Sequence, residues 1–153
     1  MSDHPTLPVT FRPGRTRAVL HALGAVSFVV ITIVALLLGG LSPGEKASFV
    51  FTGALFWGVL WLLGRPKVVA DTEGVTVVNV ARSRRLSWAE IVQVNLRPGD
   101  PWVFLDLTDG TSMAAMGIQP GMAKQSAIRD AKALRALTET AHTRSSSSSP
   151  AGD

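Results

Sequence analysis

"KVVADTEGVTVVNVARSRRLSWAEIVQVNL", Lys67 to Leu96, repeats its apolar residues at every second position. That is the period of a β-strand with one buried face. Val68 to Val80 forms two β-rich runs around a turn at Asp71 to Gly74, and "ARSRR", Ala81 to Arg85, makes the next turn. "LSW" then opens a strand that carries Leu86 and Trp88 on one face. In "IVQVNL", Val92, Val94 and Leu96 point one way and Gln93 and Asn95 the other.

The pattern continues downstream. "RPGD" is a turn signal, and "WVFLDL", Trp102 to Leu107, is a strand with Val103, Leu105 and Leu107 on one face. Asp109-Gly110 is a tight hairpin turn, because glycine accepts positive φ there, and "TSMAAM" returns antiparallel. From Met122 to Ala141 the period changes to threes and fours. Ala127, Ile128, Ala131, Leu134, Leu137 and Ala141 mark the apolar stripe of an amphipathic helix. Arg129, Lys132 and Arg135 lie on its solvated side, with Arg135 and Glu139 spaced as an i,i+4 ion pair. The final "TRSSSSSPAGD", 143–153, is low in complexity and is expected to be disordered.

Upstream the composition is of another kind. The 153 residues are 46% hydrophobic and only 17% charged, where a soluble domain is about a quarter charged. Ala18 to Leu38 carries no formal charge and would make a helix about 31 Å long. Ala47 to Gly64 is a second uncharged run, of about 27 Å as a helix. "LSPGEK" between them is too short to cross a bilayer, so the two spans form an antiparallel hairpin, with Pro43-Gly44 stopping the first. Neither run has the polar face of a helix in a soluble bundle. The first is longer than a signal-peptide core and lacks an A-x-A cleavage site, so it is read as retained.

Arg12, Arg15 and Arg17 precede the first span and Arg65 and Lys67 follow the second, while the hairpin loop offers only Lys46 beside Glu45. The positive-inside rule therefore puts the chain in the plasma membrane with both termini cytoplasmic. Trp61 suits the inner interface, Trp57 packs one turn deeper, and His21 has no second intramembrane ionisable group to work with. The hairpin is an anchor.

The short antiparallel strands closed by one helix give the fold class: a membrane α-helical hairpin plus an α+β domain of pleckstrin-homology (PH) type, a small antiparallel barrel or sandwich capped by one C-terminal helix. The residues carry a resemblance as well. "RPKVVADTEGVTVVNVARSRRLSWAEIVQVNL" with "GDPWVFLDLTDGTSMAAMGIQ" resembles the actinobacterial PH-like family known as low molecular weight protein antigen 6, most of all in "LSWAEI". It covers Arg65 to about Leu137, and members typically carry a hydrophobic hairpin before the domain. The resemblance implies a PH-like barrel in a membrane protein and says little about activity. The domains are then a cytoplasmic segment 1–17, the hairpin 18–64 with spans 18–38 and 47–64, the PH-like domain 65–142 and the tail 143–153. Only six strands follow the second span, so "PVTFRP", Pro8 to Pro13, is the candidate seventh.

Leu86, Trp88, Ile91, Val94 and Leu105 are the candidate core, with Glu90 beginning a bulge or capping a turn. Arg82, Arg84 and Arg85 fall on the hairpin turn; with the juxtamembrane Arg65 and Lys67 they are the candidate lipid or phosphate contacts. The turn where lipid-binding PH domains place their phosphate clamp is the acidic "DTEG" here. Cysteine is absent, His4, His21 and His142 are far apart, and no Gly-rich phosphate loop occurs, so no catalytic, metal or cofactor residue is expected. The net charge of +4 is modest and spread along the chain, which gives no reason to expect nucleic acid. Two roles stay open: a non-catalytic interaction or scaffold module for a protein partner or for itself, and a reader of anionic headgroups.

Overall fold

A computed structural model of the chain describes residues 6–121 and 124–147. His4, Met122 and residues 148–153 of the expected tail lie outside the described residues. The chain divides into two compact units, residues 14–65 and a second assembled from the segments on either side of it.

The first unit is helical: α1, Gly14–Leu37, and α2, Pro43–Leu63. Pro43 does not stop the first helix, as the sequence suggested; it opens the second, at a position whose N–H has no intrahelical partner anyway. Ser42 caps that helix, its backbone N–H donating to the Glu45 carboxylate at 2.8 Å while the Glu45 N–H donates to Ser42 Oγ. Large rings fill notches left by glycine along the helix seam. A Cβ at Gly24 would collide with the Trp57 indole, and one at Gly53 would lie 3.3 Å from Phe28. The two rings meet with centroids 5.6 Å apart. Away from the seam the apolar side chains are open, Leu37 at 79% and Phe51 at 64% exposure. Both helices are long and apolar enough to cross a membrane.

Among the described residues the second unit contains seven strands in two antiparallel sheets. One has the order β1-β2-β3-β4: Val9–Phe11, Lys67–Ala70, Gly74–Val78 and Ser83–Ser87. The other has the order β5-β6-β7: Ile91–Asn95, Val103–Leu107 and Ser112–Ala115. Strand β1 lies within the candidate seventh-strand segment and pairs with β2, Phe11 opposite Val68. The helical unit is thus inserted, in sequence, between two strands that are hydrogen-bonded neighbours.

Leu86, Trp88, Ile91, Val94 and Leu105 are all buried, in one core with Phe11, Val68, Val103 and Leu134. Three local expectations change. The strand β4 begins at Ser83, so Arg84 and Arg85 are strand residues opposite Val77 and Thr76 and not turn residues. The β3–β4 pairing reaches back from Leu86 through both arginines to Ser83, since an edge strand tolerates exposed charge. Trp88 sits in a 3₁₀ turn, Trp88–Glu90, which bends the chain from one sheet to the other. Val92 is 57% exposed instead of sharing a face with Val94, because the β5–β6 register slips between Ile91 and Gln93.

Helix α3, Lys124–Ser147, lays Ala127, Ala131, Leu134 and Leu137 on the core. It continues through Thr143 to Ser147, a stretch expected to be disordered. There the hydroxyls fold back on the helix: Ser145, Ser146 and Ser147 donate to the carbonyls of His142, Thr143 and Arg144 at 2.8, 2.8 and 2.9 Å. Arg135 forms no ion pair with Glu139; its guanidinium donates to the Val94 carbonyl at 2.7 Å.

Candidate functional site

The sequence gathers cations around the β3–β4 connection, and the structure separates them. The turn itself is Asn79 to Arg82, closed by the Asn79 N–H donating to the Arg82 carbonyl at 2.8 Å. Arg82 is exposed and has no ion pair or side-chain hydrogen bond among the described residues. Arg84 lies 3.8 Å from Glu90. Arg85 turns away and bridges Asp71 at 3.1 Å and Glu73 at 2.9 Å. Lys67 stands at the start of β2, opposite Val78. Arg65 belongs to the helical unit, where its guanidinium stands 5.6 Å from the Trp61 ring centre. Within the second unit Arg82, Arg84 and Arg85 do not share one partner. Two already have carboxylates, although such exposed pairs contribute only about 0–1 kcal/mol each.

Glu90 caps the 3₁₀ turn by accepting from the Ser87 N–H at 2.7 Å and from its hydroxyl at 2.9 Å. Trp88 is fixed at both ends. Its indole N–H donates to the Asp71 carbonyl at 3.1 Å, and its own carbonyl meets His142 Nε2 at 2.9 Å. The ring therefore ties the β2–β3 turn to the core, and α3 is tied in turn to its backbone.

On the far side of Arg84 the ends of the two sheets face one another across an open cleft of about 560 Å³. Asn79, Arg82, Ser83, Arg84, Thr111 and Ser112 line it. Asn79 crosses between the sheets, its amide donating to the Ala114 carbonyl at 2.8 Å and accepting from the Met116 N–H at 3.1 Å. Sequence reasoning passed over Asn79, Ser112 and the edge contact of Arg135. A lone asparagine near a turn carries no signal for a partner more than thirty positions away.

Residues 65–137 match the family model described as "Bacterial PH domain". The fold around that segment, two antiparallel sheets and a C-terminal helix, is PH-like. In this protein the domain also takes in β1, from before the helices, and the last part of α3. Uncharacterized proteins of Mycobacterium tuberculosis and Mycobacterium bovis, both actinobacteria, are 29% identical over 85 residues, 56% of this chain and 54% of theirs. The chain spans about half the length of these curated relatives. No solved structure matches.

Three carboxyls of the PH domain are held below the ordinary carboxylate range. Asp71 is lowered by the Glu73 N–H, against some desolvation, with help from the Gly74 N–H and from Arg85. Glu90 is lowered by the Ser87 N–H and hydroxyl, Asp109 by the Thr111 hydroxyl and N–H. Asp130 on α3 moves the other way, raised by burial. A carboxyl lowered by folding stabilises the fold at pH values above its unfolded pKa, and that contribution disappears as pH falls through the folded value. The melting temperature of the full chain in non-ionic detergent should therefore be level above about pH 5 and fall below about pH 4. Asp130 alone would tilt the curve the opposite way. Glu90→Gln should flatten the acid limb, and an unchanged limb would show that its cap does not couple to folding.

Proposed function

We propose that this chain is a membrane-anchored, non-catalytic interaction module whose PH domain is held at the cytoplasmic face of the plasma membrane. The observation that carries this is the insertion of α1 and α2 between β1 and β2. Two strands paired as Phe11 to Val68 must lie on one side of a bilayer, so helices inserted between them must leave and return on that side. The apolar side chains exposed around both helices suit lipid, where no water competes for them. Arg12, Arg15, Arg17, Arg65 and Lys67 flank the two ends, which favours the cytoplasm for that side. The PH domain then offers strand edges and a cleft, and no constellation of nucleophile, base and oxyanion donors accompanies them among the described residues.

A second reading, in which the domain reads anionic headgroups, is supported by Arg82. It is unpaired, and it lies at the end of the sheet where the chain passes to and from the helices. The ion pairs of Arg84 and Arg85 weigh against a phosphate clamp.

The chain has no cysteine, so single thiols report topology cleanly. Gly40→Cys, between the helices, should react with a membrane-impermeant maleimide on intact cells. Gly99→Cys, in the PH domain, should react only after lysis. Labelling of Gly99→Cys on intact cells would refute the cytoplasmic placement. For the second reading, amide exchange around 79–85 would be compared in neutral and anionic nanodiscs. Protection that appears only with anionic lipid and vanishes in Arg82→Glu would replace the interaction reading with headgroup binding.

A further inference from the structure

The free edges of β4, β5 and β7 are each met, somewhere along their length, by a side chain. In an antiparallel pair the residues of a hydrogen-bonded rung turn both backbone groups inward, and those of the next rung turn them outward. The Leu107 N–H donates to the Thr111 carbonyl, so by alternation Ser112 and Ala114 turn their backbone groups to the free edge of β7. Asn79 occupies the upper part of that edge through the Ala114 carbonyl and the Met116 N–H, as a peptide group of a neighbouring strand would. On β4 the Asn79–Arg82 bond sets the same alternation, which turns Ser83, Arg85 and Ser87 outward; Glu90 takes the Ser87 N–H. On β5, Arg135 takes the outward Val94 carbonyl. These are devices that keep sheet edges from pairing with other chains.

The stretch of β7 and β4 that borders the cleft lacks such a device. The Ser112 rung of β7 faces the cleft, and the Ser83 rung of β4 lines the same cleft. Arg82 stands there without an acid, and Arg84 reaches Glu90 only at 3.8 Å. The acids nearest in the fold are engaged: Asp106 accepts from the Ser112 hydroxyl and from Asn95, and Asp109 from Thr111. The cleft thus joins unpaired strand edge to the free charge of Arg82, with Arg84 beside it held only by its exposed pair with Glu90.

We propose that this cleft binds an extended, acidic peptide segment of a partner protein, which adds a strand to the β7 edge at Ser112 and presents its carboxylates to Arg82 and Arg84. Backbone pairing supplies the attachment, and charge-assisted hydrogen bonds supply the preference for acidic side chains. Asn79 sets where the added strand must stop, since its amide already occupies the next rung. The site deepens the interaction-module reading and rests on it.

The test uses the full chain in neutral phosphatidylcholine nanodiscs and fluorescein-labelled hexapeptides of alternating valine and glutamate. A second peptide carries glutamine for glutamate, and a third keeps the glutamates but has alternate backbone nitrogens methylated. The acidic peptide should bind and slow amide exchange across 111–114. The glutamine peptide should bind about tenfold more weakly or worse, the methylated peptide should fail, and Arg82→Ala with Arg84→Ala should mimic the glutamine result. Ser112→Pro removes the outward N–H at a position where an edge strand accepts proline, and should abolish binding while Ser112→Ala keeps it. Equal binding of the methylated peptide would overturn strand addition. So would inorganic phosphate or anionic nanodiscs giving the same Arg82-dependent protection, since the cleft would then be an anion or headgroup site. If no peptide binds while the topology test succeeds, this cleft is refuted as the docking site and the anchored module stands.

Discussion

Gly117→Ala is expected to cost the PH domain most of its stability. Gly117 is buried, and its backbone lies against the backbone at the start of β2. A Cβ built there would stand 2.5 Å from the Lys67 carbonyl carbon and 2.7 Å from the Val68 nitrogen. A flexible side chain could move aside; a paired strand cannot, because Lys67 and Val68 are fixed opposite Val78 and Val77. The segment after β7 would have to lift, and the Ile118 carbonyl, which accepts from the Val103 N–H at 3.1 Å, would lift with it. A loss of roughly 3–5 kcal/mol is the scale for breaking such a contact, against a total of about 5–15 for a domain. Gly74→Ala, whose Cβ would overlap the Leu86 carbonyl across the β3–β4 pair, should behave alike. Gly121→Ala is the control, since a Cβ there meets open space. Thermal unfolding of the full chain in non-ionic detergent checks all three. A Gly117→Ala protein that melts within about 2 °C of the parent would show that the backbone can open at this point, since a loss of that size should shift a small domain by several times that.

The glycine packing marks the limit of what the sequence discloses. Period-two alternation disclosed the strands, and the three-four spacing from Ala127 to Leu137 disclosed the helix, because those patterns record which face is buried. Leu86 and Leu105 could be assigned to the core on the same ground. What sequence cannot carry is contact between distant backbones, as at Gly117 and Lys67, or a register slip such as the one that turns Val92 outward. The arginines illustrate the second limit. "ARSRR" reads as a turn because charge clusters are common there, yet the pairing of Val77 with Arg84 continues the strand through it. A cluster of like charges in sequence becomes three separate situations in space: Arg82 unpaired, Arg84 beside Glu90, Arg85 bound to Asp71 and Glu73. Sequence showed the material of a binding surface and not its arrangement.

The first strand offers the second large effect. Phe11 is 6% exposed and packs into the core from β1, a strand of only three residues that lies before the helical hairpin. Phe11→Ala is expected to cost roughly 3–5 kcal/mol, the range for emptying a buried aromatic site. Deleting 6–13 should cost at least as much, because it also leaves the outer edge of β2 without the partners at Val9, Thr10 and Phe11. The domain defined by the matched residues 65–137 lacks this strand, so a fragment cut at Arg65 should be far less stable than the whole chain. The insertion of the helices makes the dependence physical. Closing a long flexible loop to pair β1 with β2 would carry an entropic cost that grows with its length, whereas a packed helix pair brings its two ends together as it forms. Amide exchange read segment by segment on the full chain distinguishes the outcomes. In Phe11→Ala, Val68 to Ala70 should lose protection while α1 and α2 keep theirs. Unchanged protection of β2 in the deletion would mean that the core closes without β1, and the PH domain could then be studied free of its helices.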